Sequence, residues 1–199
     1  MAKLYFRYST MAAGKSLDLL KVAFNYKEKN QEVLLFTSHH DDRYGKGVIK
    51  SRLGIEQEAI VVTDKTDLYK YISDLNEWPD CILFDEAQFL TKKQVIELTD
   101  IVDKLAIPII CYGLRSDYRA EPFGGSTYLM LYADTIEELK TICKCGKKAS
   151  MNLRVLDGVP VFEGQQINIG GNESYIAVCR KHFKQAMEEK HYSERLEKD

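Results

Sequence analysis

No apolar stretch in this 199-residue chain approaches the roughly 20 residues that a membrane-spanning helix needs, so an integral membrane protein is not expected. An excess of one charge is also missing. The 28 Lys and Arg stand against 30 Asp and Glu, a formal net charge of −2, which argues against a nucleic-acid binder that works through bulk charge. The opening, MAKLYFRYST, holds only a short apolar run and nothing that resembles a signal peptide, so a cytoplasmic protein is expected. Internal repeats and low-complexity segments are absent as well. The five cysteines are an odd number in a chain without an export signal, which favours reduced thiols or metal ligands over disulfides. What is present is ample apolar content, 45% of residues, enough for one full core and a small appendage.

Strand-like and helix-like stretches alternate through the first two thirds. KLYFRY (3–8), EVLLFT (32–37), AIVVT (59–63), CILFD (81–85) and PIICYG (108–113) are short apolar runs, dense as buried parallel strands are. A helix should follow residue 14, with Leu17, Leu20 and Phe24 at helical spacing. Residues 65–76 and the amphipathic 91–105, with Thr91 as N-cap, complete the helical stretches. Residues 38–54 are polar and contain glycine, and read as a long loop. The alternation predicts an α/β fold with a parallel sheet covered by helices. Near residue 140 the character changes to cysteine clusters, glycines and short alternating stretches. Two units are therefore expected, 1–139 and 140–199, the second ending in a charged helix over 180–198.

Residues 8–20, YSTMAAGKSLDLL, join the first strand to the first helix. Such a junction turns backbone N–H groups and the helix's positive end toward an anion. Gly14 lets the backbone approach phosphates, Lys15 supplies a point charge, and Ser16 offers a hydroxyl to Mg²⁺. The usual pattern begins with glycine where this chain has Ser9. The alternative, a chance Gly-Lys-Ser at a helix start, is weakened by the strand before and the helix after. CILFDEAQF (81–89) adds a second element, an apolar strand ending in Asp85 and Glu86. Asp85 sits where a second Mg²⁺ contact belongs in phosphate-loop folds, and Glu86, one residue further, is expected to point differently and to be available for proton work. Otherwise both carboxylates merely solvate a strand end. At this level an ATPase, with Glu86 polarising water, remains open.

Cys143-x-Cys145 and Cys179-x-x-His182 offer three thiols and an imidazole, a set suited to tetrahedral, structural zinc. Cys81 and Cys111 lie in apolar strands and read as core residues. His39, His40 and His191 lack ligand-like spacing and read as solvent-facing. Lys144, Lys147, Lys148, Arg180 and Lys181 could form a basic nucleic-acid face, but without interleaved aromatics they read as solvated surface.

The blocks YSTMAAGKS, DDR (41–43), SRLG (51–54), DEAQFL, CYGLRSDYRAEPFGGS, LKTICKCGKKASMNLR, EGQQINIGGNESY and VCRKHF together resemble one family, the zinc-containing type II thymidine kinases. The likeness runs through nearly the whole chain and is greatest to the enterobacterial-type branch. That branch is similar in its serine at the loop's first place and in its short Cys-x-Cys. The resemblance implies a P-loop, RecA-like sheet with a small zinc-ribbon-like unit carrying a lasso-like loop over 162–175. It implies transfer of the ATP γ-phosphate to the 5′-hydroxyl of thymidine. Ser9, Thr10, Met11, Ala12, Ala13, Gly14, Lys15 and Ser16, with Asp85, Glu86, Ala87 and Gln88, would bind ATP. Ser16 and Asp85 would hold Mg²⁺, and Glu86 would be the general base. Met11, Leu114, Tyr118 and Phe123, beside Phe89, would line the thymine pocket. Asp41, Arg43 and Gln88 would lie near sugar and phosphates, and Asn152 at a base-contacting place. Ile167, Ile169, Gly170 and Tyr175 belong to the loop that closes over the nucleoside. Cys143, Cys145, Cys179 and His182 would hold the zinc. A homotetramer, feedback inhibition by thymidine triphosphate, and no nucleic-acid or membrane partner are further implications.

Overall fold

The computed structural model describes residues 1–166 and 175–196, with side chains described up to residue 190. The expected Ile167, Ile169 and Gly170 contacts, and most of the lasso-like loop, lie outside the described residues.

In chain order the elements run β1 (Leu4–Ser9), α1 (Lys15–Lys27), β2 (Val33–Ser38), β3 (Val48–Lys50), β4 (Glu56–Glu58), β5 (Ile60–Val62), α2 (Leu68–Ser73) and β6 (Cys81–Phe84). A 3₁₀ turn at Ala87–Phe89, α3 (Lys92–Leu105), β7 (Ile109–Leu114), α4 (Gly124–Tyr132) and β8 (Thr135–Glu138) follow. Six strands form one parallel sheet in the order β5-β2-β6-β7-β1-β8. The apolar runs are dense because the pleat sends alternate residues to opposite, equally dry faces. Phe6, Ile82, Phe84, Ile109 and Cys111 pack with α2, α3 and α4 on one face. Leu35, Cys81, Leu83, Ile110 and Tyr112 pack with α1 on the other. Cys81 and Cys111 are both fully buried, as core residues should be.

Three expectations need correction. The buried face of α1 is Lys15, Leu19, Leu20 and Ala23, whereas Phe24 is 60% exposed. The 9–16 loop sets the phase of this helix by turning Lys15 inward, and residues four and eight further on follow it. Residues 38–54 are not simply loop. Val48–Lys50 pairs antiparallel with Glu56–Glu58 in a small hairpin. Its Ile49 is buried against Leu19, Leu20 and Ala23. His40 is half-buried, with its ring against Phe89 at 5.1 Å, and is not a solvent-facing side chain. The expected cap of α3 is present as a full capping box. Thr91 Oγ1 accepts from Gln94 N and Gln94 Oε1 accepts from Thr91 N.

The strands beyond Glu138 join other sheets. β9 (Thr141–Ile142) and β10 (Lys148–Ala149) make an antiparallel pair around the Cys143-x-Cys145 turn. β11 (Met151–Leu156), β12 (Val159–Val161) and β13 (Tyr175–Val178) form a second small sheet, in the order β12-β11-β13. The closing helix is α5 (Arg180–Leu196). Leu153, Val178, Phe183 and Ala186 pack with Cys143 and Cys179 into a separate apolar cluster.

Candidate active site

The 9–16 loop leaves the C-terminal end of β1 and enters α1. Ser9 is the last residue of β1, paired with Leu114, and its backbone is not left-handed. Glycine is therefore not demanded there, which explains the serine. The left-handed turns fall at Ala12 (φ 61°) and Gly14 (φ 78°). Nothing lies within 4 Å of where a Gly14 Cβ would stand, so its conformation and not crowding favours glycine. The Lys15 ammonium folds back into the loop and donates to Ser9 Oγ and Thr10 O, both at 3.1 Å. Burial pushes the Lys15 amine down; Glu86 and Asp85 oppose that shift, and Arg43 and Arg52 add to it.

The end of β6 faces this loop. Ser16 Oγ donates to Asp85 Oδ2 at 2.9 Å. Burial, reinforced by the Glu86 charge, pushes the Asp85 carboxyl up to about 7, although Ser16 and Lys15 pull it down. A buried carboxylate beside a hydroxyl, short of positive charge, is the oxygen-donor set that a hard cation such as Mg²⁺ uses. Glu86 adopts a left-handed backbone, φ 52°, uncommon for a non-glycine residue. Both its oxygens are engaged: Arg43 Nη2 donates to Oε1 and Gln88 Nε2 to Oε2, each at 2.5 Å. Arg43 also grips Asp41 through two bonds of 2.7 and 2.9 Å. Gln88 Oε1 in turn accepts from Leu114 N at 3.1 Å, tying Glu86 to the end of β7.

A cavity of about 370 Å³ opens over these groups. Met11 through Ser16, Asp41, Arg43, Glu86 and Gln88 form its polar side. Phe89, Leu114, Tyr118, Phe123, Asn152 and Tyr175 form the rest of the expected wall. The aromatic rings meet edge to face, Phe89 with Phe123 at 5.7 Å and Tyr118 with Tyr175 at 6.3 Å. The Tyr118 hydroxyl reaches the Glu163 and Gln165 carbonyls at 2.9 and 3.1 Å. Ser9 and Thr10 instead line a smaller cleft behind the loop, with Ser150 and Asn152. Asp85 and Ala87 are buried beneath the cavity without lining it. Asn152 has a part the sequence did not signal: Oδ1 accepts from Met11 N at 2.8 Å and Nδ2 donates to Ser116 O at 3.1 Å. The small sheet thus holds the phosphate loop by its backbone. Also missed were His40, Tyr44 and the hairpin residues Lys50, Ser51, Arg52 and Leu53 on the cavity wall. The recurrent glycines at 45, 47 and 54 around VIK and EQE were the available signal for that hairpin.

Away from the cavity, Cys143, Cys145, Cys179 and His182 bring their ligand atoms within 4.8 Å of one another. Cys145 Sγ and Cys179 Sγ are 3.9 Å apart, and His182 Nδ1 lies 3.1 Å from Cys143 Sγ and 3.6 Å from Cys179 Sγ. Four thiolate and imidazole ligands around zinc, with bonds of about 2.0–2.3 Å, would stand about 3.5–3.8 Å apart, so the set fits such an ion. His39, His40 and Asp64 also approach within 4.8 Å, at a more exposed corner beside β2.

The family model for thymidine kinase matches residues 2–183 of this chain. The chain belongs to the thymidine kinase family. It is 55% identical over 188 residues to a thymidine kinase of Pasteurella multocida, covering 93% of this chain and 98% of the relative. It is 53% identical to a thymidine kinase of Haemophilus influenzae, covering 93% and 97%. It is 52% identical over 184 residues to one of Lactococcus lactis, covering 92% and 97%.

Proposed function

We propose that this protein is an ATP-dependent thymidine kinase that makes thymidine monophosphate. The observation that carries the reading is Glu86, its carboxylate aimed by Arg43 and Gln88 into the cavity that the phosphate loop and the aromatic wall share. The triphosphate of ATP lies against the loop N–H groups and Lys15, the thymine between Met11, Leu114, Tyr118 and Phe123. Ser16 and Asp85 would hold Mg²⁺, which would supply charge neutralisation at the phosphates. The thymidine 5′-oxygen attacks the γ-phosphorus; its proton passes to Glu86. The bond from the γ-phosphorus to the β–γ bridging oxygen breaks, and ADP leaves with that oxygen. Because the transition state is loose, positioning and charge neutralisation carry most of the catalysis.

Zinc on Cys143, Cys145, Cys179 and His182 is structural in this reading, since all four positions are taken by protein. A division into units at 139/140, the 162–175 loop closing over the base, a cytoplasmic homotetramer, and inhibition by thymidine triphosphate belong to the same proposal. ATP consumption measured with and without thymidine tests it. ADP and thymidine monophosphate should appear in equal amounts and only with the nucleoside. ADP release at the same rate without thymidine would make the protein an ATPase.

A further inference from the structure

Four Lys and Arg side chains line the cavity: Lys15, Arg43, Lys50 and Arg52. Two are already committed. Arg43 is held by Asp41 and Glu86, and Lys50 Nζ pairs with Glu56 at 2.6 Å. Lys15 touches only the neutral oxygens of Ser9 and Thr10. Arg52 makes no hydrogen bond or ion pair among the described residues, and its side chain is exposed at the cavity mouth. An ATP tail in this cavity would meet two cations with no carboxylate partner among the described residues, Lys15 on the loop and Arg52 on the hairpin.

The hairpin is built to hold that second cation in place. Ile49, 2% exposed, anchors β3 on α1. The tip is closed by three bonds around the buried Ser51. Its N–H donates to Ile55 O at 2.8 Å, its carbonyl accepts from Gly54 N at 3.0 Å, and its hydroxyl accepts from Ile55 N at 3.2 Å. Arg52 and Leu53 project from that fixed turn. Arg52 and Lys15 line the same cavity, and the positive charge of Arg52 adds to the downward push on the Lys15 amine.

We propose that Arg52 is a further catalytic residue, which binds the γ-phosphate of ATP from the hairpin side and neutralises charge on the phosphoryl group during transfer. A guanidinium offers a planar fork that matches two phosphate oxygens, and it is already free of carboxylate partners. Lys15 from the loop and Arg52 from the hairpin would then both grip the terminal phosphate. This inference rests on the kinase reading above but goes beyond it, because it assigns the residue that distinguishes a triphosphate from a diphosphate.

The test uses the full chain carrying Arg52→Met and, separately, Arg52→Lys. Both should fold as the parent does, since the side chain has no partner to lose; melting temperature checks this. Binding of a non-hydrolysable ATP analogue and of ADP, each with Mg²⁺, is measured by calorimetry. Arg52→Met should weaken the analogue at least tenfold and ADP less than threefold. In turnover it should lower kcat at least tenfold at saturating ATP, with the KM for thymidine within threefold of the parent. Arg52→Lys should fall between, keeping charge but not the fork. Equal losses for analogue and ADP, or an unchanged kcat, overturn the proposal. Should the parent itself fail to phosphorylate thymidine, the kinase reading falls instead. The analogue-to-ADP ratio still decides whether Arg52 senses the third phosphate.

Discussion

Glu86 occupies a left-handed conformation that costs a non-glycine residue on the order of 1 kcal/mol or more, and the neighbouring bonds repay it by fixing where the carboxylate points. As base it must come within hydrogen-bond reach of the thymidine hydroxyl, and each of its oxygens, holding one bond from Arg43 or Gln88, has a second lone pair for that contact. Glu86→Gln keeps the size and one of the two accepting oxygens, exchanges the other for an N–H donor, and accepts no proton. Its kcat should fall by roughly 10²–10⁴ while both substrates still bind, read from steady-state rates and calorimetry. A near-normal kcat would reduce Glu86 to a structural role. Ser9 makes the opposite case. Its hydroxyl donates to Thr10 O at 2.7 Å and accepts from Lys15, so in the free protein it supports the loop's interior. Ser9→Gly should change apparent ATP affinity by less than about tenfold, or 1.4 kcal/mol, because the N–H groups near Gly14 carry the anion. A larger loss in an ATP titration would mean that the hydroxyl touches the nucleotide.

Among the elements, α4 shows how closely the site is packed. A Cβ on Gly125 would stand 2.7 Å from the carbonyl oxygens of Ala87, Gln88 and Leu90, all backbone atoms. Gly125→Ala must therefore push α4 away from the turn that carries Gln88. The cost should be about 1–3 kcal/mol, typical of overpacking. Gly124, its neighbour, has nothing within 4 Å of such a Cβ and no positive φ, so Gly124→Ala should be neutral or slightly stabilising. Thermal melts of the pair decide: a drop of several degrees for Gly125→Ala alone is expected, and equal melts would refute the packing argument. This helix also marks where the sequence is opaque. α4 opens on two glycines, poor helix formers, and β8 reads TIEE, an edge strand with only β1 beside it. Neither carries a period that stands out. The doubly buried strands and the capped α3 were legible because burial on two faces and a capping box leave contiguous marks. The loop and DEAQF were legible for the same reason. Arg52 and the bonds of Asn152 were not, since both depend on segments distant in sequence meeting in space.

Across the whole molecule, Asn152 is a direct link between the small sheet beside the cysteine cluster and the 9–16 loop. It is 3% exposed, it sits on β11, and it holds Met11 N on one side and Ser116 O on the other. β11 packs through Leu153 into the apolar cluster that contains Cys143 and Cys179. Losing the metal should loosen that cluster, because a structural ion's binding energy is folding energy. The slack should then reach the phosphate loop through Asn152, and not only the thymine side. Cys145→Ser should release the ion, lower the melting temperature, and raise the KM for ATP as well as for thymidine. Asn152→Leu should raise the KM for ATP by roughly tenfold, the weight of a buried hydrogen-bond partner removed, with the metal still bound. Metal analysis beside the kinetics separates the two variants. If Asn152→Leu leaves the KM for ATP unchanged and alters only that for thymidine, the amide serves the base pocket alone, and its bond to Met11 N does not support ATP binding.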